Sequence, residues 1–384
     1  MLSVIQGKPP APCPEPFNMA AYVLGTGDPG KVALMALRDG DQVDSYTYGA
    51  LRNQVAGLAA GLLDLGLSPG ERILMRLGNQ VAFPLTYLAS LWAGLVPVPT
   101  AAGLTVPEIT AIADDLSPAL TITAEGLAVP VGHRSMSFDQ IPCLEPVSPD
   151  LGAPDRLAYI IFTSGTSGKS RGVLHAHRAV WARRMMWTGW VDLTSNDVVM
   201  HAGAFNWTYT LGIGLMDPWA CGATAVIPPD GTRPAALPAL ARRYGATILA
   251  AVPGVYRQMV RDADDMHVPS LRHALSAGEK LPENVRRSFA SATGCDVHEA
   301  LGMSECSTFI SGSPARPAPG GSLGWPQPGR HVAVLGDNGE PLPRGAPGTL
   351  AVHQSDPGLM LGYLNAPEET AAKLQGPWFK TGDT

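Results

Sequence analysis

The residues best suited to chemistry lie in one segment, residues 159–177, with the sequence YIIFTSGTSGKSRGVLHAH. An apolar, strand-like stretch leads into a run of small and hydroxylated residues and two cations: Thr163, Ser164, Gly165, Thr166, Ser167, Gly168, Lys169 and Arg171. Glycines let a backbone approach a ligand closely, hydroxyls donate hydrogen bonds, and cations add positive charge. This composition is typical of a loop that binds a polyphosphate, although a Gly/Ser-rich surface turn has a similar composition.

Two other enzyme classes use loops of related sequence, and neither template fits this segment. The phosphate loop of P-loop nucleotide hydrolases needs a glycine six residues before its lysine, but Thr163 stands six residues before Lys169. The nucleophile elbow of serine hydrolases needs a glycine two residues before and two residues after the serine. Neither Ser164 nor Ser167 meets that requirement. We therefore expect neither a P-loop hydrolase nor a serine hydrolase.

Two histidines, His175 and His177, follow the loop and have the spacing of a metal-binding pair. Such a pair without a third nearby ligand is weak evidence for a metal. A role at the start of a helix or behind the site is the better interpretation. We predict no zinc site here.

Composition narrows the class of protein. The chain has 384 residues, of which 45% are hydrophobic and 16% charged, with a formal net charge of −6. No run of Lys and Arg stands out, so we do not expect nucleic acid as a partner. The five cysteines are scattered and never form a C-x-x-C pair, which argues against a disulfide framework or a zinc knuckle. The N-terminus lacks the apolar core of a signal peptide, and we predict a cytoplasmic protein.

One uncharged segment, residues 81–107, is long enough to cross a bilayer. Pro84 and Pro97 interrupt it, and prolines break helices. The second half has the composition of a short strand over residues 95–98, after a helix that ends near Gly94. We predict a buried helix-plus-strand unit and no membrane span.

Most of the chain alternates between strand-like and helix-like segments. The apolar, β-branched runs are residues 73–77, 120–123, 159–163, 223–227, 247–252 and 296–299. Most of these runs lack in/out alternation, which is typical of strands buried on both faces. Helix-like segments such as 48–65 and 233–244 lie between several of them. This alternation predicts an α/β architecture with largely parallel sheets.

The character of the chain changes beyond about Gly312. Proline and glycine become frequent, and short strand-like runs at residues 331–335 and 349–353 follow without long helices. This pattern predicts a small antiparallel β subdomain. We predict two α/β subdomains, residues 1–154 and 155–311, and a β subdomain, residues 312–384.

The loop resembles the signature T-S-G-T-T-G-x-P-K-G of the adenylate-forming, or AMP-binding, superfamily. The sequence departs from it chiefly at Ser170, where proline is usual, and at Arg171, where lysine is usual. Arg171 keeps the positive charge but not the compact ammonium group, so we expect phosphate contact with altered geometry. Further segments resemble the other motifs of the superfamily, in the same order: LWAGLVPVPT (91–100), SAGEKLP (276–282), LGMSECS (301–307), GYLN (362–365) and WFKTGD (378–383).

The resemblance implies a fold and an activity. The fold is the large N-terminal domain of adenylate-forming enzymes, with two layered α/β subdomains and a small β-barrel-like subdomain, without the C-terminal domain. The activity is that of an acyl- or aryl-CoA ligase, which uses ATP and Mg²⁺ to convert a carboxylic acid to acyl-AMP and then transfers the acyl group to CoA. An adenylation module that loads a carrier protein and a non-catalytic nucleotide- or acid-binding protein are the alternatives.

The resemblance also implies roles for individual residues. Thr163, Ser304 and Glu305 would be catalytic, with Glu305 holding Mg²⁺, because one carboxylate plus substrate phosphates commonly binds this ion. The nucleotide would contact the whole loop and further residues, namely Thr163, Ser164, Gly165, Thr166, Ser167, Gly168, Lys169, Arg171, Ala277, Gly278, Glu279, Leu301, Gly302, Ser304 and Asp383. Many members have tyrosine where this chain has Leu301, which offers adenine only an apolar face. Asp383 would accept hydrogen bonds from the ribose hydroxyls.

The acid pocket implied by the resemblance consists of Trp207, Tyr209, Ala277, Gly302, Thr308 and Phe309. In the adenylation domains of peptide synthetases the corresponding segment resembles F-D-x-S, and its Asp pairs with the α-ammonium group of an amino acid. This chain has FNWT there, and Asn206 supplies no counter-charge for an α-ammonium group. We therefore expect a small aromatic, cyclic or short-to-medium aliphatic acid. Family members continue beyond the T-G-D motif into a domain that carries a catalytic lysine, so we expect this chain to bind ATP or acyl-AMP but to adenylate poorly.

Overall fold

The computed structural model describes residues 1–38, 42–164 and 170–384, without the side chain of Ser164. The strands are β1 Ile5–Gln6, β2 Val32–Leu37, β3 Val43–Thr47, β4 Arg72–Arg76, β5 Val96–Pro99, β6 Leu120–Thr123, β7 Ser135–Ser137, β8 Leu157–Ser164, β9 Ser170–Ala176, β10 Val198–His201, β11 Thr224–Ile227, β12 Ile248–Ala251, β13 His273–Ala277, β14 Val297–Met303, β15 Ser307–Ser311, β16 Trp325–Pro326, β17 His331–Leu335, β18 Thr349–His353, β19 Gly362–Tyr363, β20 Leu374–Gln375 and β21 Trp378–Lys380. The helices are α1 Met19–Gly25, α2 Tyr48–Asp64, α3 Ala82–Trp92, α4 Val106–Leu116, α5 Ala179–Ala182, α6 Arg184–Met186, α7 Thr208–Leu211, α8 Asp217–Cys221, α9 Leu237–Arg243, α10 Pro253–Asp262, α11 Glu283–Thr293 and α12 Pro367–Ala372.

A nine-stranded sheet is the largest layer, in the order β16-β15-β14-β13-β12-β10-β11-β2-β3. Its six central strands, from β14 to β2, run parallel, and antiparallel strands close both edges. Strands such as ILAA (β12) and HALSA (β13) are buried along their whole length, as expected of parallel strands covered on both faces. The predicted mixed α/β architecture with largely parallel sheets is confirmed.

A second, four-stranded parallel sheet has the order β5-β4-β6-β7. The residues of α3 are all buried, and the chain turns from this helix into the buried strand β5. The predicted helix-plus-strand unit is therefore present in the uncharged segment. In the part of the chain that the structure describes, no helix combines the length and apolar character needed to cross a membrane.

Local sequence signals fix where α4 begins and ends. Thr105 and Glu108 form a capping box, and a proline occupies the first turn, which satisfies and pre-organises the helix N-terminus. The helix ends at Leu116, and the next residue, Ser117, caps it in a left-handed conformation. One face of α4 buries Ile109, Ile112 and Leu116 against the four-stranded sheet.

The antiparallel hairpin β8–β9 flanks the predicted phosphate loop. Its last pair joins Ser164 to Ser170, and β19 adds to the other edge of β9. The predicted loop residues Gly165, Thr166, Ser167, Gly168 and Lys169 lie outside the described residues. The element after the loop is a strand, whereas a helix follows the phosphate loop of P-loop nucleotide hydrolases. This difference also argues against that class of enzyme.

The fourth sheet is antiparallel, in the order β1-β17-β18-β21-β20. Strands β17 and β18 have the predicted bounds, and the predicted antiparallel character is confirmed. Two sheets join segments from different predicted subdomains, because β2 pairs with β11 and β1 pairs with β17. The boundaries at residues 154 and 311 remain a prediction.

Buried histidines make the fold sensitive to acid. Burial lowers the pKa of His201, on β10, to about 3, whereas an unfolded histidine has a pKa of about 6.5. The unfolded chain therefore binds a proton that the folded chain excludes, and stability falls as the pH drops from about 6.5 toward the folded pKa. Between pH 7 and pH 5, the wild type should lose about 2 kcal/mol more unfolding free energy than His201→Leu. Urea unfolding at the two pH values measures the difference. The same pH dependence in the variant and the wild type would contradict this account.

Candidate active site

A cavity of about 740 Å³ is bounded by α4 and the β5–α4 connection on one side, and by β8, α7, the end of β13 and the β14–β15 hairpin on the others. Its lining comprises Thr100, Ala101, Leu104, Glu108, Ala111, Ile112, Asp115, Ile161, Phe162, Thr163, Ser170, Asn206, Trp207, Thr208, Tyr209, Ala277, Gly278, Gly302, Met303, Ser304, Ser307 and Thr308. A volume of this order is that of a site for a small molecule or cofactor.

The cavity brings together eight residues for which the sequence predicts catalytic or binding roles: Thr163, Trp207, Tyr209, Ala277, Gly278, Gly302, Ser304 and Thr308. They come from separate strands and loops of the chain. Thr163 and Ser304 line the same cavity as five of the six predicted acid-binding residues, all except Phe309. One partly open cavity therefore offers hydrogen-bond donors and apolar walls together.

The aromatic residues differ in how firmly they are held. The hydroxyl of Tyr209 donates to the carbonyl oxygen of Leu275 at 2.9 Å, and its ring stacks on Trp190 with 5.7 Å between centroids. The ring of His201 meets Tyr209 edge-on at 4.5 Å. Tyr209 is thus a fixed wall, whereas Trp207 is 57% exposed and lies at the rim.

Two glycines shape the backbone around the cavity. Gly278 has φ +95 at the turn after β13, a conformation that side chains rarely allow. At Gly302, a Cβ atom would lie 2.5 Å from the Cα atom of Thr308 on the facing strand. The β14–β15 register also shifts between Leu301 and Gly302. The hairpin therefore needs glycine at this position to bring its strands together ahead of the turn with Ser304 and Glu305.

Glu305 is held by the segment that ends in β19. The hydroxyl of Tyr363 donates to Oε1 of Glu305 at 2.7 Å, and the amide of Met360 donates to the Glu305 carbonyl oxygen at 2.7 Å. Burial and the hydrogen bond to Glu305 raise the pKa of Tyr363, so this phenol stays protonated and remains a donor. The carboxylate is half-buried and fixed in orientation.

Arg171 lies beside the same tyrosine. Its guanidinium carbon is 5.7 Å from the centre of the Tyr363 ring, and its Nε lies 2.8 Å from Oε2 of Glu369 on α12. On β9 it is paired with Thr163 of β8. Arg171 does not line the cavity, but its strand partner, Thr163, does.

Other predicted site residues lie away from the cavity. Phe309 is fully buried beside Val173 and Cys306, and Leu301 packs against the same cluster. Glu279 and Asp383 are exposed and do not line the cavity. The side chain of Ser164 and residues 165–169 are outside the described part of the chain, so their predicted contacts stay predictions.

The cavity also has a side for which the sequence predicted no role, formed by Thr100, Ala101 and Leu104 and by four residues of α4, namely Glu108, Ala111, Ile112 and Asp115. Arg76 fixes the first three residues, which form the β5–α4 wall: it is fully buried and donates to the carbonyl oxygen of Ala101, to that of Leu104 at 3.3 Å and to Oγ1 of Thr100 at 3.2 Å. The segment 91–100 was identified as an early motif, but nothing in its residue types indicated that its end lines a site.

The two histidines after the loop have structural contacts. His175 stacks on Tyr159 with 4.7 Å between centroids, and burial lowers its pKa to about 4. Nδ1 of His177 accepts a hydrogen bond from the amide of Met19 at 3.0 Å, at the start of α1. Among the described residues, no group of three His, Cys, Asp or Glu side chains is arranged to hold a metal.

Comparison with known proteins identifies the class. Residues 25–364 match the family model described as AMP-binding enzyme, and the chain belongs to this family. A benzoate–CoA ligase structure from Burkholderia xenovorans LB400 superposes with a TM-score of 0.85 at 25% identity, covering 95% of this chain and 77% of that one.

Among curated relatives, the benzoate–CoA ligase of Thauera aromatica is 29% identical over 98% of this chain and 75% of its own length. The 4-hydroxybenzoate–CoA/benzoate–CoA ligase of Rhodopseudomonas palustris is 28% identical over 94% of this chain and 70% of its own length. The relatives thus include CoA ligases, as the motifs predicted.

Proposed function

We propose that this protein activates a carboxylic acid with ATP, forming acyl-AMP and pyrophosphate, and that the acyl group then passes to CoA. The observation that carries the proposal is one cavity, which Thr163 and Ser304 line together with five of the six predicted acid-binding residues. Membership of the AMP-binding family and the CoA ligases among its relatives support it.

The proposed first step needs no nucleophile from the protein. A carboxylate oxygen of the acid attacks the α-phosphorus of ATP, a new phosphorus–oxygen bond forms, and the bond to the leaving pyrophosphate breaks. Such a reaction depends on positioning and on stabilising the charge of the phosphate oxygens. We assign that role to the hydroxyls of Thr163 and Ser304, together with the loop residues 164–169 and Arg171.

Glu305 is the residue we propose to hold Mg²⁺. It is a half-buried carboxylate oriented by Tyr363, and one carboxylate plus substrate phosphates suits the coordination of this ion. The bound ion would neutralise charge on the phosphates of ATP. Ala277, Gly278, Glu279, Leu301, Gly302 and Asp383 are the remaining residues that we propose for adenosine.

Removing the hydroxyl of Tyr363 should raise the Mg²⁺ concentration that the protein requires. Tyr363→Phe leaves the ring in place but frees the Glu305 carboxylate to rotate, and loss of such an outer hydrogen bond typically lowers metal affinity about 10-fold. Titration of Mg²⁺ in an ATP-binding assay measures the effect. Tyr46→Phe, on the edge strand β3, is the matched control. An unchanged Mg²⁺ requirement in Tyr363→Phe would contradict the assignment.

We propose a small aromatic, cyclic or short-to-medium aliphatic acid as the substrate. Tyr209, Trp207 and Ala277 provide mainly apolar surface, and Asn206 on the same lining provides no charge for an α-ammonium group. The benzoate and 4-hydroxybenzoate ligases among the relatives agree with this choice.

The experiment is pyrophosphate release by the full gene product against a panel of carboxylic acids, with and without CoA. We expect release that depends on the acid, and a CoA thioester when CoA is present. Acid-dependent release with transfer only to a phosphopantetheinyl carrier protein would replace CoA by a carrier as the acceptor. Absence of ATP, acid and acyl-AMP binding by the 384-residue chain would contradict the proposal.

A further inference from the structure

Behind the cavity lies a buried ion pair between Arg183 and Asp217. Nε and Nη2 of Arg183 donate to the two carboxylate oxygens of Asp217 at 2.8 and 2.7 Å. The side chains are only 9% and 1% exposed. The pair is therefore bidentate and shielded from solvent, and its two formal charges cancel.

The surrounding fold makes room for this pair. A Cβ atom at Gly212 would lie 2.0 Å from Nη2 of Arg183, so any other residue there would displace the guanidinium from its position beside Asp217. Gly212 opens a π-helical turn, Gly212–Met216, and Asp217 is the next residue of the chain. Buried ion pairs are weak evidence for stability, because desolvation offsets most of their attraction. The third nitrogen of Arg183, Nη1, has a different partner, and this contact indicates a function for the pair.

That donor, Nη1, hydrogen-bonds to Oγ of Ser307 at 2.7 Å. Ser307 lines the cavity and opens β15 with φ 63, a left-handed conformation that is uncommon for serine. Ser307 is half-buried and joins the buried ion pair to the space proposed for the acid.

The hydroxyl of Ser307 keeps its own hydrogen for donation. A hydroxyl has one hydrogen to donate, and because Arg183 donates to its oxygen, that hydrogen points elsewhere. Its acceptor in this structure is the sulfur of Met186 at 3.5 Å, and a thioether is a weak acceptor. A ligand oxygen within the cavity would be a better acceptor than this sulfur.

The charge of the Arg183–Asp217 pair also indicates which kind of ligand oxygen the Ser307 hydroxyl binds best. Asp217 neutralises Arg183, so the pair supplies a polarised donor without net positive charge. Such a donor suits a neutral hydroxyl or carbonyl oxygen better than a second carboxylate, whose burial requires a counter-charge.

We propose that Ser307 is a specificity-determining residue that donates a hydrogen bond to a neutral oxygen substituent on the ring or chain of the acid. The substrate class is then an oxygen-substituted acid, such as a hydroxy acid. This inference rests on the proposed function, because it assumes that the cavity binds the acid. Arg183 and Asp217 are positioning residues that hold the Ser307 hydroxyl.

The test compares matched acids that differ only by the oxygen: benzoate with its hydroxy isomers, and a straight-chain acid with its hydroxy derivatives. Affinity for the 384-residue chain is measured by isothermal titration in the presence of a non-hydrolysable ATP analogue. We expect at least one oxygen-substituted acid to bind about 3- to 10-fold more tightly than its parent, the gain from one hydrogen bond between neutral groups. In Ser307→Ala, that ratio should fall close to one.

Ser170→Ala provides the matched control. Ser170 also lines the cavity, but its hydroxyl donates to the backbone oxygen of Thr163 at 3.2 Å and is not joined to Arg183. The preference should persist in this variant. Equal affinities within every pair in the wild type, or a preference that survives in Ser307→Ala, would overturn the inference and leave the proposed function standing. Failure of all acids to bind would overturn the inference, and failure of ATP and acyl-AMP to bind as well would overturn the proposed function.

Discussion

Glu305→Gln is expected to lower acid-dependent pyrophosphate formation by about 100-fold or more, the effect of removing a group that stabilises transition-state charge. Glutamine has almost the same shape, and its carbonyl oxygen still accepts the hydrogen bond that Tyr363 donates at 2.7 Å in the wild type. The variant therefore removes the charge of the carboxylate while the surrounding contacts stay in place. Mg²⁺ titrations of ATP binding and of pyrophosphate release by the full gene product measure the loss.

The matched control is Glu283→Gln. Glu283 is an exposed residue at the start of α11, where its carboxylate lies 3.5 Å from Arg286. The same chemical change there should leave the Mg²⁺ dependence intact. If Glu305→Gln kept the wild-type rate and Mg²⁺ requirement, Glu305 would not be the metal carboxylate.

The second large effect concerns stability. Arg330 and Asp356 form a pair with side chains 1% and 0% exposed, joined at 2.6 Å, and Arg330 also donates to the carbonyl oxygen of Thr308 at 2.5 Å. Arg330→Met leaves the Asp356 carboxylate buried without its partner, which typically costs about 3–5 kcal/mol. Urea unfolding at pH 7 should show this loss of unfolding free energy.

Two further variants separate the buried charge from the loss of packing. Arg330→Met combined with Asp356→Leu removes both charges and should recover part of the stability, because the buried carboxylate is gone. Arg242→Met breaks an ion pair with Asp265 in which both partners are well exposed, and we expect a small effect there. An Arg330→Met protein as stable as the wild type would contradict the account of the pair.

The parallel strands were predictable because each is a short apolar run. Residues 120–123 match β6, and the run 247–252 contains β12, Ile248–Ala251. Strands β2 and β3 were not predicted, although they complete the edge of the nine-stranded sheet. Among the described residues, strand β3 pairs only with β2, and β2 pairs with β11, which lies far along the chain. Local pattern carries little information about such distant partners.

The motif-bearing part of the site was predictable, and its side-chain directions were not. Thr308 lines the cavity, whereas its neighbour Phe309 enters the core, because successive residues of a strand point to opposite faces. On β14, Gly302 lines the cavity in the same way, whereas its neighbour Leu301 packs against the core. The strand bounds that reveal this alternation came only from the structure.

Contacts between distant segments were invisible in the sequence. Arg183, Asp217 and Ser307 follow no shared motif, and only folding brings them within hydrogen-bonding distance. The β5–α4 wall and its anchor Arg76 are of the same kind. Such residues act through packing, which a linear pattern of residue types does not encode.

The most direct test of the central claim is a crystal structure of the chain with a non-hydrolysable acyl-adenylate analogue, such as a benzoyl sulfamoyl adenosine. We expect the analogue to occupy the cavity of about 740 Å³, with its acyl group beside Tyr209 and Thr308 and its phosphate mimic beside Thr163 and Ser304. An analogue bound outside this cavity, or no binding at millimolar concentration, would contradict the claim that this is an acid-activating site.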